Sequence, residues 1–404
     1  MPESKPYRIS GTGCALVDYL YKPVSFTNTK FSKYLSKTPG DGGLAPGKLV
    51  FKEEFEKYSK EVYLQVREAI NGGREPVALN IGGPSIVSLI HAAQMLHGSA
   101  AEVWFYGSKG ADEAGAFIVE KLKETPLKIG SYKTGKQYTP FTDVLSDPDF
   151  DGGLGERIFI NNIGAAWEFM PEDLDESFFR SDMVVFGGTA LVPNIHTSLR
   201  ELLMKAKTQK AITVVNTVYD FLNEKNDPSK PWPLGDSTET YRHIDLLVTD
   251  MEEALRLSGT STVEEAVLFL QNSGVGAFII THGSNQLNLS ADSLLFGQIQ
   301  PNTLPVSERV VNELIQMTEK SGDTTGCGDN FVGGVLAAIA HQKIKNPSRQ
   351  VDLKSAAALG IASGGYACFY NGGTFYESFP GQKNSLVKAY HHDYLAQIGM
   401  TDKI

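Results

Sequence analysis

The fold of this chain is restricted most by a regular alternation of short apolar stretches with segments of helical periodicity. About eight such pairs follow one another along the 404 residues, with apolar stretches at 182–186, 212–216 and 277–281 among them. Such alternation yields a parallel sheet with helices on both faces and ligands at the C-terminal ends of the strands. With 41% hydrophobic residues, the chain can bury a large core. We therefore predict a doubly wound, mostly parallel α/β fold.

The charge and the cysteine content exclude several classes of protein. A net charge of −10 and a pI near 5.4 argue against nucleic acid or an anionic membrane as a partner, since both require a basic surface. The three cysteines show neither a disulfide framework nor metal-binding spacing. The N-terminus lacks the apolar core of a secretory signal, and no apolar run approaches about 18 residues. We expect a reduced, cytoplasmic, soluble protein.

A glycine-rich stretch at 321–340, SGDTTGCGDNFVGGVLAAIA, is predicted to form a turn that runs directly into a helix. Gly326 and Gly328 permit backbone conformations closed to other residues, so successive N–H groups can point at one place. A helix beginning near Asp329 adds further N–H donors and a positive dipole end, which attract an anion such as phosphate. Asp329 itself would repel that anion, but it could accept the proton of an attacking hydroxyl. The alternative is that Asp329 caps the helix and the glycines form a tight turn.

The segment DTTGCGDNFVGG resembles the C-terminal signature of the ribokinase or PfkB family of small-molecule kinases, D-T-[TN]-[GA]-[AG]-G-D-x-F-x-[AG]-G. Cys327 stands where Ala or Gly is commoner, and its backbone N–H remains available. The resemblance implies an enzyme that transfers the γ-phosphate of ATP, with Mg²⁺, to a hydroxyl of a sugar or sugar-like molecule. It assigns Asp329 as the catalytic base and Gly326, Cys327 and Gly328 as the anion hole.

The same resemblance implies a ribokinase-like fold with a small β lid over the site. We expect 1–404 to form a single domain, with lid elements within 21–76 and 131–166. Apolar residues at spacings of three and four predict one amphipathic helix over 50–70. Lids of this family often pair, so a homodimer through the lid is a further expectation.

The resemblance places the acceptor near four residues. Asp18, at the end of the predicted first strand, matches a family Asp that binds substrate hydroxyls, and a carboxylate can accept two such hydrogen bonds. Gly82 and Gly83 match a glycine pair that lets the sugar approach the backbone, while Arg157 belongs to the lid strands. Each has a simpler alternative, namely a cap, a turn or a structural Arg. The Asn that the family uses to bind sugar is replaced by Val87.

The nucleotide side of the site is implied by three further motifs. Asn216 takes a phosphate-binding position, although the Arg that usually follows in the family is missing here. Thr281 and Gly283 match a T-x-G motif that contacts phosphates or ribose. Asn371 lies in a turn that borders the adenine pocket in the family.

Two pairs of residues are candidate metal ligands. Asp250 and Glu253 match the family's N-x-x-E motif, with Asp in place of Asn, and can hold Mg²⁺ near the phosphates, through water. The alternative is that both residues cap a helix. Asp323 and Thr325 correspond to positions that commonly enclose a monovalent cation, so K⁺ is a further candidate cofactor.

Two other functions remain open from the sequence. A nucleoside kinase of the adenosine type would share every catalytic motif. A kinase-like sensor of sugar or nucleotide would be expected to have lost the base, whereas this chain retains Asp329.

Overall fold

The computed structural model describes residues 5–38, 40–153, 156–317 and 324–403. The strands are β1 Tyr7–Gly13, β2 Leu16–Tyr21, β3 Leu49–Phe51, β4 Ala78–Gly82, β5 Ala101–Lys109, β6 Lys128–Thr134, β7 Phe141–Asp147, β8 Glu156–Asn162, β9 Met183–Gly187, β10 Ile212–Asn216, β11 Leu246–Asp250, β12 Ala277–Thr281, β13 Leu287–Ser293 and β14 Gly297–Leu304. The helices are α1 Thr29–Ser32, α2 Lys52–Ser59, α3 Tyr63–Asn71, α4 Pro84–Met95, α5 Glu113–Leu122, α6 Phe150–Gly153, α7 Glu176–Phe179, α8 Pro193–Thr197, α9 Leu199–Thr208, α10 Phe221–Asn226, α11 Met251–Ser258, α12 Val263–Ser273, α13 Glu308–Gln316, α14 Cys327–Lys345, α15 Leu353–Ala367 and α16 Gln382–Gln397. Short 3₁₀ turns lie at Gly164–Glu168, Pro171–Asp173, Thr189–Leu191 and Thr238–His243.

Nine of the described strands form the main sheet, in the order β14-β13-β12-β11-β10-β9-β1-β5-β6. The seven strands from β12 to β6 in this order are parallel, and β13 and β14 add an antiparallel edge. The alternation of strands and helices in the sequence therefore predicted the sheet correctly.

The central strands bury side chains on both faces of the sheet. Neighbouring residues such as Val184 and Val185, or Leu246 and Leu247, belong to two different hydrophobic cores because successive side chains point to opposite faces. One core contains α4, α14, α15 and α16, and the other contains α9, α11 and α12. This arrangement leaves the C-terminal edge of the strands as the place where loops can form a site.

Five other strands form a smaller sheet, in the order β3-β8-β7-β2-β4, which we call the lid. One of its faces packs on α2 and α3 in a separate core. Strand β4, and all of β2 except Tyr21, lie outside the ranges 21–76 and 131–166 in which the lid elements were expected.

The single helix predicted over 50–70 is wrong, because the structure has β3 followed by two helices, α2 and α3. Helix α2 ends at Lys60, which adopts a left-handed conformation with φ of 58°. Phe55 of α2 and Val66 of α3 are buried in the same core. The apolar residues of both helices therefore follow one continuous helical periodicity. Periodicity alone could not show the break between the helices.

Helix α14 is held tightly between α4 and α15 by two consecutive glycines. A Cβ on Gly333 would lie 2.4 Å from the backbone O of Ser88 in α4. A Cβ on Gly334 would lie 2.4 Å from Oγ of Ser363 in α15. The absence of side chains here fixes the position of α14 and therefore of its N-terminus. Among the described residues, no helix is both long and apolar enough to cross a bilayer.

Candidate active site

The strand register brings predicted site residues together at the C-terminal edge of the main sheet. Gly13 at the end of β1 pairs with Gly187 of β9, which pairs with Asn216 of β10. Asp250 of β11 pairs with Thr281 of β12 at the same edge. Asn216 is buried, and its Oδ1 atom has no hydrogen-bond partner in the described protein. A buried polar atom of this kind is suited to a bound ligand.

The N-terminus of α14 has the properties expected of an anion site. The helix begins at Cys327, after Gly326 as N-cap in a left-handed conformation, and no side chain caps it. Gly328 is exposed, and a Cβ there would meet no atom of the described residues within 4 Å. The helix therefore presents backbone N–H donors and its positive dipole end to open space.

Asp329 lies on this first turn of α14 and is half-buried. Burial raises the pKa of its carboxyl from an ordinary value near 3.8 to about 6. A carboxylate whose pKa lies close to neutral pH accepts a proton more readily than an ordinary one and is still ionised at pH 7. Asp329 does not cap α14, so the capping alternative is not what the structure shows.

The conformation of Gly326 is fixed by close contact with a second glycine turn. Its φ is +75°, and a Cβ on it would lie 2.3 Å from the Cα atom of Gly373. Asn330 joins the two turns, since its Nδ2 donates to the carbonyl O atoms of Gly326 and Gly373, both at 2.8 Å. Asn330 is itself buried, so the loop before α14 is anchored from the protein side.

We expect Gly326→Ala to lower the free energy of unfolding by about 2–4 kcal/mol, because Ala is strained at this φ and its Cβ meets backbone. The matched control is Gly328→Ala, whose Cβ has open space and which should change stability by about 1 kcal/mol or less. Urea unfolding of both variants measures the difference. Equal stability of the two variants would contradict the packing described for Gly326.

A buried lysine from the last helix holds Asn330 in place. Lys383 of α16 is 0% exposed, and its Nζ donates to Oδ1 of Asn330 at 3.2 Å and to the hydroxyl of Tyr370 at 2.6 Å. Tyr370 also donates to Oδ1 of Asn330, at 3.0 Å. The Nζ atom lies 4.3 Å from the ring centroid of Tyr370, 4.9 Å from that of Phe375 and 5.5 Å from that of Tyr366. Burial lowers the pKa of Lys383 well below its ordinary value.

Asp18 lies in the middle of lid strand β2. The sequence had led us to expect it at the end of the first strand, so that expectation is wrong. Its carboxylate lies over Gly82, where a Cβ would be 2.1 Å from Oδ2 of Asp18. Gly83 is the N-cap of α4, with φ of 107°, and a Cβ there would meet the carbonyl O atom of Cys14 at 2.5 Å. The two glycines are therefore required by close packing, and Asp18 lies beside them.

Asp18 belongs to a row of polar residues that crosses four strands of the lid. In the register of β4, β2, β7 and β8, residues Asn80, Asp18, Thr142 and Asn161 are directly opposite one another. Directly paired residues project from the same face of a sheet. Asn161 donates to Oγ1 of Thr142 at 2.9 Å. We call these four residues the polar row.

Two contacts show that this face of the lid is turned toward the glycine turns. Nη1 of Arg157, on the same face of β8 as Asn161, donates to Oγ1 of Thr325 at 3.2 Å, in the loop before α14. Nδ2 of Asn80 donates to the carbonyl O of Asn371 at 3.1 Å. Arg157 thus links the lid to the anion site, and Asn371 faces the lid through its backbone.

The candidate magnesium ligands form reciprocal caps on α11. Oδ1 of Asp250 accepts from the N–H of Glu253 at 2.7 Å, and Oε2 of Glu253 accepts from the N–H of Asp250 at 3.2 Å. Glu253 also accepts a hydrogen bond from Thr217. Burial, followed by the charge of Asp250, raises the pKa of Glu253 to about 7. Both residues therefore cap α11, as the alternative from the sequence supposed. Asp250 is also exposed at the C-terminal edge of the main sheet.

Thr281 and Gly283, which were predicted for the nucleotide side of the site, are less closely packed than the residues above. Thr281 is half-buried and donates to the carbonyl O of Thr249 at 3.4 Å. Gly283 is exposed, with φ of 52° and open space where a Cβ would be. Asp323, one of the two candidate ligands of K⁺, lies outside the described residues. The described residues contain no cluster of three or more His, Cys, Asp or Glu side chains that could hold a metal.

Sequence reasoning missed Lys383, Asn330 and the structural role of Asn80. Asn330 occupies a variable position of the C-terminal signature, and Lys383 lies in a helix that carries no recognisable motif. A Lys at the start of the helix face that continues with Val387 and Tyr390 was the available signal, because a buried Lys requires a polar partner.

The architecture is that of known small-molecule kinases. A probable sugar kinase from Rhizobium etli superposes with a TM-score of 0.68 at 18% identity, covering 98% of this chain and 100% of its own. The adenosine kinase of Sinorhizobium meliloti superposes with a TM-score of 0.67 at 18% identity, covering 95% and 99%. These similarities establish the ribokinase-like fold.

Sequence comparison identifies the family. The profile described as pfkB family carbohydrate kinase matches residues 75–378. A probable fructokinase-4 from Arabidopsis thaliana is 26% identical over 274 residues, which cover 65% of this chain and 73% of the relative. The chain belongs to the pfkB family of carbohydrate kinases. It is a phosphotransferase that acts on a hydroxyl group of a small molecule, and kinases of this family use ATP with Mg²⁺.

Proposed function

We propose that this kinase phosphorylates a sugar or sugar-like molecule and that Asp329 is its catalytic base. The observation that carries the proposal is the first turn of α14, where a carboxyl of raised pKa lies beside an uncapped helix N-terminus that opens on free space at Gly328. In this proposal Gly326, Cys327 and Gly328 form the anion hole.

The proposed chemistry requires two actions from the first turn of α14. Asp329 orients the acceptor hydroxyl and takes its proton as the oxygen attacks the terminal phosphate. The backbone N–H groups that follow Gly326 stabilise the charge on the phosphoryl group during transfer. Both groups lie on one rigid helix held between α4 and α15, so their relative position does not change during the reaction.

Residues at or just after the ends of β10 and β12 support the proposed nucleotide site. The unpartnered Oδ1 of Asn216 and the exposed backbone at Gly283 leave donors and acceptors for phosphate and ribose. Bound Mg²⁺ would supply positive charge to the phosphates, which a protein of net charge −10 needs at this point. Asp250 and Glu253 already receive capping hydrogen bonds. This favours contact with Mg²⁺ through water.

The polar row supports a polyhydroxylated acceptor. Its side chains offer a carboxylate, two amides and a hydroxyl in one line across the lid, and a sugar carries donors and acceptors along its whole length. Oδ1 of Asn80 is buried without a partner, so one acceptor of the row remains for a ligand. In this proposal the row supplies the polar contacts of the acceptor in place of the family's Asn, whose position is taken by Val87.

The test is a screen of sugars, sugar acids and nucleosides with ATP and Mg²⁺, in which ADP formation is measured. We expect turnover of at least one sugar or sugar acid, with a kcat/KM at least about tenfold above that of the best nucleoside, which corresponds to about 1.4 kcal/mol. Turnover of nucleosides alone would replace the proposal with the adenosine-type alternative. Binding of a sugar without turnover by any acceptor would favour the sensor alternative.

Three further expectations stay proposals. The edge strand β4 of the lid exposes Leu79, at 40%, next to Val77, at 61%, which supports a homodimer through this edge. Thr325 remains a candidate ligand of K⁺, together with Asp323. The cytoplasmic location is still a prediction from the cysteine content.

A further inference from the structure

Two cysteines that are distant in the sequence lie side by side next to the proposed anion hole. Cys327 is the first residue of α14, and Cys368 is the C-terminal cap of α15. Their Sγ atoms are 3.4 Å apart. Both residues are half-buried, whereas Cys14 is in the core at 2% exposure. The neighbouring thiols are thus more accessible to a small reagent than the third.

We propose that Cys327 and Cys368 form a thiol modification site that reacts with a small-molecule disulfide, and that the resulting Cys327–Cys368 bond reversibly slows phosphoryl transfer. The effect on the rate rests on the proposed function of the turn that begins α14. The reaction of the thiols with the disulfide does not depend on that proposed function.

The local charges favour reaction at Cys327. The N-terminus of a helix stabilises negative charge on a side chain of the first turn, and the thiolate is the form that attacks a disulfide. Cys327 is therefore the expected attacking group, and Cys368 is the resolving group.

The exchange balances without any further reactant. The Cys327 thiolate attacks one sulfur of the oxidant, the S–S bond of the oxidant breaks, and one thiolate leaves. Cys368 loses its proton to water and attacks the sulfur of Cys327 in the mixed disulfide, which expels the second thiolate. The two cysteines have then lost two protons and two electrons. The oxidant has gained the electrons and, once protonated, has become two thiols.

The new bond would move the anion hole because the neighbouring backbone has no room to adjust. The Sγ atoms must approach from 3.4 Å to about 2.05 Å. A Cβ on Gly364 of α15 would already lie 2.8 Å from the carbonyl O of Cys327, so the helix backbones are in contact there. The movement therefore falls on Cys327 and on the turn before it. A displacement of about 1 Å in such donors can lower a rate by about a hundredfold.

The experiment treats the reduced full-length protein with oxidised glutathione and follows intact mass, the number of alkylatable thiols and kcat. We expect the thiol count to fall from three to one with no glutathione retained, and kcat to fall by about 10- to 100-fold. Dithiothreitol should restore both. Cys368→Ser should keep its basal kcat, because this side chain lies outside the proposed catalytic groups. It should also lose the reversible inhibition by an internal disulfide.

Three results would overturn the proposal: three free thiols after treatment, a stable glutathione adduct in place of the internal bond, or an internal bond with unchanged kcat. Mass and thiol count require no activity, so they separate this proposal from the proposed function. If Asp329→Asn retained full turnover while the internal bond formed normally, the catalytic assignment would fail and the thiol site would stand.

Discussion

Asp329→Asn is expected to lower kcat by about a thousandfold or more while leaving the affinity for ATP within about threefold. Asn has the size of Asp and keeps the first turn of α14, but it cannot accept the proton of the acceptor hydroxyl. Steady-state kinetics and calorimetric titration with ATP measure the two effects. The matched control is Asp352→Asn, since Asp352 caps the N-terminus of α15 beside Gln342, near the far end of α14, and Asn caps equally well. Full turnover by Asp329→Asn would remove the proposed base.

The pH dependence of the wild-type enzyme provides a second measurement of the same group. The pKa of Asp329 is raised to about 6, and only the ionised carboxylate can take a proton. The value of kcat/KM should therefore fall as the pH drops through about 6, about tenfold for each further unit. The residual activity of Asp329→Asn should lack this limb. A wild-type rate that stays constant down to pH 5 would contradict the assignment.

Lys383→Met is expected to lower kcat by about 10- to 100-fold, although Lys383 touches no reacting atom. Lys383 acts as a positioning residue, because its Nζ holds Asn330, which in turn holds the carbonyl groups of Gly326 and Gly373. Met keeps the length of the apolar stem and removes both hydrogen bonds. The KM for ATP should change little, because the proposed nucleotide site also includes Asn216 and Gly283, which lie at or after the ends of β10 and β12. Lys388→Met is the matched control, as Lys388 is exposed on the same helix.

The stability of the Lys383→Met variant should differ from the wild type in its pH dependence. The pKa of Lys383 is lowered well below its ordinary value in the folded protein. Between these two pKa values the unfolded chain holds a proton that the folded chain lacks, so this group makes stability rise with pH there. The variant should lack that rise in urea unfolding measured at several pH values. Parallel profiles for wild type and variant would contradict the buried position of the amino group.

The sequence predicted the main sheet better than it predicted the lid. Strand and helix alternation is local, and the C-terminal signature carries both a helix start and a carboxylate within a few residues. Asp18 was assigned to the end of the first strand, but the chain leaves the main sheet after Gly13 and enters the lid. Which sheet a short strand joins depends on pairing with distant residues, and local pattern does not contain that information.

The contacts behind the proposed anion hole could not be predicted from the sequence, for the same reason. Lys383 meets Asn330, and Cys327 meets Cys368, only because α14, α15 and α16 pack together. Each contact depends on the rotation of two helices about their axes, which the apolar pattern of α14 and α15 leaves undetermined because nearly every face of their central turns is buried.

The place of Lys383 after all of the signature motifs has a consequence for biosynthesis. A ribosome must translate past every one of these motifs before the amino group that contacts Asn330 is present, so the nascent protein is expected to remain inactive until residue 383 has been added. A premature stop codon shortly before residue 382 would leave every signature motif intact and still yield a defective catalyst.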